Sequence, residues 1–113
     1  MGKEITIQMP YPPSTNRLWR QFRGRTIKSK EYREWIERAS AALAGIKPVC
    51  GKYNLLILAA RPDKRRRDVA NLEKAISDAL QAAGIVEDDS LAHSVKCEWD
   101  GECGDLPMIV VRI

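Results

Sequence analysis

Histidine and cysteine are scarce in this chain: one His, His93, and three Cys, at 50, 97 and 103, with no CxxC pair. That excludes an ordinary zinc site, which needs about four N or S ligands at close spacing. The odd cysteine count fits a reduced, cytoplasmic protein better than a disulfide scaffold. No apolar run approaches the roughly 20 residues needed to span a bilayer. Met1-Gly2-Lys3-Glu4 leads straight into a strand pattern, with no secretory h-region. A membrane partner is therefore not expected. Linker-like composition and internal repeats are also missing, so residues 1–113 read as a single domain. With nitrogen and sulfur ligands so few, a bound divalent cation would be held by oxygen. Mg²⁺ is the first candidate, and Mn²⁺ is possible.

What the chain does have is clustered positive charge. Lys and Arg outnumber Asp and Glu by 19 to 15, a net charge of only +4. Yet five of the seven residues from Arg61 to Arg67 are basic: Arg61, Lys64, Arg65, Arg66 and Arg67. Arg17, Arg20, Arg23, Arg25, Lys28 and Lys30 form a second group. Such runs suit a nucleic-acid phosphate backbone, with a plain solvated surface as the alternative.

Ile5, Ile7 and Met9 alternate with polar residues as a half-buried strand, which Pro10-Tyr11-Pro12-Pro13 ends. The polar, Arg-rich stretch from Pro12 to about Ile27, carrying Trp19 and Phe22, reads as a long loop. A helix is predicted from about Lys30 to Ala44, with Ser29 as N-cap and Gly45 as stop. Tyr53 to Ala59 reads as a central strand buried on both faces. Leu72, Ala75, Ile76, Ala79, Leu80 and Ala83 mark a second helix, with Asn71 as N-cap and Gly84 at C′. Strands around Val95–Trp99 and Met108–Ile113 complete an α+β domain: a small mixed β-sheet with two helices packed on one face.

The acidic residues beside these basic runs carry the chemistry. Asp68 follows the Arg65-Arg66-Arg67 run, and Asp88-Asp89 comes just after the second helix. Should those segments meet across neighbouring strands, a carboxylate from each would converge. In an extended stretch only one of Asp88 and Asp89 faces inward, and spacing leaves that choice open. Converging carboxylates suppress each other's ionisation unless a cation lies between them. Such a cation can activate water at a phosphodiester, while arginines hold the strand. Lys74, in the first helical turn, can reach a phosphate or leaving-group oxygen; otherwise it is an exposed helix lysine. Asp68 likewise has a plain alternative as an ion-pair partner.

Arg65-Arg66-Arg67-Asp68-Val69-Ala70-Asn71-Leu72-Glu73-Lys74 resembles the RRRDxDNLxK segment of RusA-type Holliday junction resolvases, proteins of bacteria and phages. Pro12-Pro13-Ser14-Thr15-Asn16-Arg17 is similar to the family's PPSxNR loop, and Gly24-Arg25-Thr26 to its GRT. Asp78-Ala79-Leu80, Gly84 and Asp88-Asp89 extend the likeness in the same order. The resemblance implies a homodimeric, Mg²⁺-dependent endonuclease acting on four-way junction DNA. It implies metal-binding carboxylates at Asp68 and Asp89, a functional Lys74, and DNA contacts from Asn16, Arg17, Arg25, Lys64, Arg65, Arg66 and Arg67. It also places alanine, Ala70, where the family carries a third carboxylate. On an extended chain, residues 68 and 70 would face one side, roughly 6–7 Å apart, so cleavage is expected to be impaired.

Trp19 and Phe22 either stack on DNA bases or pin their loop to the core. Trp35 and Trp99 read as packing residues, His93 as a lone surface histidine, and the cysteines as packing side chains. A non-cleaving protein that binds branched DNA is the alternative function, and a nuclease for RNA or ordinary duplex DNA is a third.

Overall fold

The apolar spacing from Tyr32 to Leu43 builds one face of a helix, and the physical reasons it starts and stops are visible at both ends. The structure is a computed structural model that describes residues 4–13, 17–61, 69–101 and 108–112. Helix α1 spans Lys30–Leu43, and the Ser29 side chain accepts the Tyr32 backbone N–H at 3.0 Å, as an N-cap does. Tyr32, Trp35, Ala39 and Leu43 are buried, and Gly45 turns the chain away at φ +81°.

Strands β1 (Glu4–Gln8), β2 (Trp19–Phe22), β3 (Arg25–Lys28), β4 (Tyr53–Ala59), β5 (Ala92–Trp99) and β6 (Met108–Arg112) form two sheets. The larger has the order β1-β6-β4-β5, and β2 and β3 stand apart as a two-stranded ribbon. β4 runs antiparallel to β6 and parallel to β5. A parallel pair needs a crossover, which helix α2 (Glu73–Ala82) supplies. Ile7, Leu55, Ile57 and Ile109 share the sheet face that joins both helices in one core. Among the described residues no helix is long and apolar enough to cross a membrane.

Three expectations need correction. Residues 19–28 are a hairpin and not a loop, because Arg23 and Gly24 both adopt positive φ, +50° and +75°. Two such residues reverse the chain with the twist that paired strands need. β4 is central but buried on one face only: Tyr53, Leu55, Ile57 and Ala59 are buried, whereas Asn54, Leu56 and Leu58 are half-exposed. Asn71 lies inside a 3-10 turn over Val69–Leu72 that runs into the helix, and the cap position of α2 falls to Leu72, without a side-chain bond.

The stop signal of α2 is as the sequence predicts. The Gly84 N–H donates to the Gln81 carbonyl at 3.0 Å and the Ile85 N–H to that of Leu80 at 2.9 Å, around a Gly84 φ of +75°. This is a Schellman ending, and buried Ile85 and Leu80 supply its apolar contact. Gly84→Ala has room for the methyl group but must hold the left-handed backbone. It should lower stability by about 1–2 kcal/mol, readable by urea denaturation.

Candidate functional site

The Gly84 reversal sends the chain back under α2, and this delivers the acidic pair. Ile85 and Val86 are buried, and the Ile85 carbonyl accepts the Val49 N–H at 2.6 Å. Beyond them Asp88 caps a 3-10 turn, Asp89–Leu91, its Oδ1 accepting the Ser90 N–H at 3.0 Å. The Asp89 backbone N–H donates to Gln81 Oε1 at 3.1 Å, which fixes the turn against α2. The extended alternation expected for Asp88 and Asp89 therefore does not apply. A capping turn forms instead, because Asp88 finds backbone donors just ahead of it.

Both carboxylates are exposed, and they interact. The Ser90 backbone N–H, then hydrogen bonds with Asp89 and the Ser90 hydroxyl, hold Asp88 below the usual carboxylate range. Asp89 is pushed above it, first by its hydrogen bond with Asp88, then by desolvation and the Asp88 charge. Lys74 pulls Asp89 back down, while Asp78 raises it further. Lys74 itself lies 3.4 Å from Asp78 Oδ1, one turn along α2. It is thus an exposed helix lysine and also a cation felt by Asp89.

Tyr32 and Tyr53 border this cluster. The Tyr32 hydroxyl donates to Asp78 Oδ2 at 3.1 Å. Burial, then the Asp78 charge and this hydrogen bond, push the phenol from 10.0 up to about 12. A raised folded-state value means that protonated Tyr32 contributes stability fully present below pH 10 and lost as pH rises through about 12. The melting temperature should fall across that window, and Tyr32→Phe should flatten the fall in a pH series of melts. Tyr53 opens β4 opposite Ala92, and its hydroxyl is buried with no partner among the described residues. Burial, followed by the charges of Asp89, Glu73 and Asp88, holds it above its ordinary range.

An oxygen-rich acidic edge with an orphaned hydroxyl beside it suits a hard, hydrated cation. The donor set fits such a group in kind. In number it is short: among the described residues no three His, Cys, Asp or Glu side chains group as a metal site. Asp68, the remaining expected ligand, lies outside the described residues, as do Asn16, Lys64, Arg65, Arg66 and Arg67. Ala70 lies in the 3-10 turn over Val69–Leu72, beside β5. The extended-chain spacing expected between positions 68 and 70 therefore fails at its second end, because helical backbone has already begun.

Arg17 and Arg25 are exposed, and Arg17 approaches Glu31 at 4.0 Å. His93 is exposed, as read; Cys50 is exposed too, which removes its packing role. Trp35 is fully buried, whereas Trp99 is half-buried under the Arg61 guanidinium, 4.9 Å from its ring. Sequence reasoning gave Gln81, Asp78, Tyr32 and Tyr53 no part in the acidic cluster; their parts arise from side-chain contacts that the fold brings about. It also missed the ribbon, for which Arg23-Gly24 between two four-residue runs was the available signal.

Residues 10–113 match the family model described as Endodeoxyribonuclease RusA. The chain is 39% identical over 87 residues to the crossover junction endodeoxyribonuclease of Enterobacteria phage 82, covering 74% of this chain and 72% of that protein. It is 41% identical over 92 residues to the protein of that name from Escherichia coli strain K12, covering 75% and 73%. The Shigella sonnei protein matches at 41% over 92 residues, with the same coverage of 75% and 73%.

Proposed function

The chain belongs to the RusA endodeoxyribonuclease family, and we propose that it acts on four-way DNA junctions as a divalent-cation-dependent endonuclease whose cutting is weakened by Ala70. The observation that carries this reading is the placing of Asp89. A Gln81 bond holds its backbone, the Lys74 charge reaches its carboxylate, and Asp88 and Tyr53 stand alongside.

In this reading Asp89 and Asp68 hold the cation from two segments of the crossover. A bound Mg²⁺, or Mn²⁺ in its place, would supply an activated water and neutralise charge on the phosphodiester. Lys74 stands where a phosphate oxygen would compete with Asp78 for its ammonium. The Tyr53 hydroxyl, buried without a partner among the described residues and within reach of the Asp89 charge, is free to take a water of that cation's shell. Asn16, Arg17, Arg25 and the basic run Lys64–Arg67 would position the DNA backbone, since phosphate contacts set register and orientation. A four-way junction has two-fold symmetry, so a homodimer would present one such site to each of two strands. Action in the cytoplasm accords with Cys50 and Cys97 standing as thiols.

The test compares this chain with its Ala70→Asp variant on a four-way junction, a linear duplex and single strands, with and without Mg²⁺. Metal-dependent cutting confined to the junction supports the reading. Junction binding with no cutting by either protein would identify a branched-DNA binding protein. Equal cutting of all three substrates would identify a general nuclease.

A further inference from the structure

The β2–β3 ribbon has no role in holding the metal site, yet its ten residues carry four basic side chains, Arg20, Arg23, Arg25 and Lys28, and no acidic one. That equals the net charge of the whole chain, +4. At its tip the Phe22 ring is 48% exposed, with the Arg20 and Arg23 guanidinium carbons 5.5 Å and 5.3 Å from its centre. An aromatic ring at a charged tip gains nothing from the core. With two guanidinium groups close to its face, the half-exposed ring offers a stacking surface beside cations suited to phosphate.

The ribbon is also aimed by its root. Leu18 is buried, its carbonyl accepting the Ser29 N–H at 2.9 Å, and the Ser29 hydroxyl donates to the Arg17 carbonyl at 2.5 Å. Trp19 meets Tyr32 edge to face, with centroids 5.7 Å apart, and Tyr32 bonds to Asp78 on α2. A cleft of about 250 Å³ lies between this root and the two helices, lined by Trp19, Lys28, Tyr32, Asp78 and Gln81 among others. Gln81 is the residue that holds the Asp89 backbone. The root of the ribbon and the acidic turn thus meet at the same residue of α2.

We infer that the β2–β3 ribbon is a DNA-distorting element: Phe22 inserts between bases at the branch of a junction while Arg20, Arg23 and Arg25 hold the flanking phosphates. A two-stranded ribbon fits the major groove, about 12 Å wide, and apolar wedges that unstack a base step are a known means of bending DNA. The inference rests on the proposed action on branched DNA, and it adds the part of the chain that opens the branch.

The experiment uses the chain as it stands and a four-way junction with 2-aminopurine at the branch point. Binding should raise the fluorescence as the base unstacks. Phe22→Ala should bind the junction and lose that rise, Phe22→Leu should retain part of it, and both should melt with the parent because the ring is exposed. Arg20→Ala combined with Arg23→Ala should reduce the slope of log K against log salt by about 2. A full fluorescence rise with Phe22→Ala, no rise with the parent, or an unchanged salt slope would each overturn the ribbon's role. If the parent shows no preference for the junction over linear duplex, the proposed function falls as well. Should that preference stand while Phe22 proves silent, the ribbon inference fails alone.

Discussion

Ala70→Asp is expected to raise junction cleavage by at least 10–100-fold, the loss that even indirect damage to a metal site typically causes. The gain should come with metal affinity: the Mg²⁺ concentration for half-maximal cutting should drop in the variant. Position 70 lies in the 3-10 turn that leads into the N-terminus of α2. A carboxylate there meets the positive end of a helix, an interaction worth roughly 0.3–1 kcal/mol. The melting temperature of the variant should therefore hold or rise, which separates a gain in chemistry from a gain in folding. Adding Asp89→Asn to Ala70→Asp should return cutting to the level of the parent chain. If Ala70→Asp stays as slow as the parent with Mg²⁺ in excess, position 70 does not govern cleavage.

The largest stability effect should come from Trp35→Ala. Trp35 is completely buried, stacks on Tyr32 with centroids 6.2 Å apart, and donates its indole N–H to the Pro10 carbonyl at 2.9 Å. Removing the ring leaves a cavity and strips that carbonyl of its partner. Phe or Trp to Ala changes in cores cost about 3–5 kcal/mol. For a domain of this size that corresponds to a fall in melting temperature on the order of 15 °C. Trp35→Phe should fall less, because most of the ring volume stays while the hydrogen bond and the pyrrole part of the indole go. Calorimetry on the two variants gives both values.

Both helices were legible because their ends carry chemistry that acts locally: the Ser29 cap, the Gly45 exit and the Gly84 reversal need only neighbouring residues. The start of α2 was misread for the same reason in reverse. Asn71 is a good cap in isolation, but the chain enters the helix through a 3-10 turn instead. The ribbon escaped notice because its side chains are almost all exposed, so no alternation of apolar and polar residues marks it. Asp89 could be chosen over Asp88 by resemblance to a family, not from the residues themselves. What surrounds it depends on contacts between segments far apart in sequence: Tyr53 pairs with Ala92, and Tyr32 reaches Asp78. Those follow from tertiary packing, which no local pattern encodes.

β6 lies between β1 and β4, with Glu4 opposite Arg112 and Ile57 opposite Ile109. The middle of the sheet is therefore completed by some of the last residues described to leave the ribosome. Until they emerge, β1 has no neighbour among the described strands and one edge of β4 stays open, so the nascent chain carries exposed strand edges up to that point. Pairings that span nearly the whole chain also slow folding, because a long loop must close before they form. Loss of residues 108–112 would thus remove the joint between the two ends of the sheet, and the product should be recovered in aggregates rather than as a shortened, working protein.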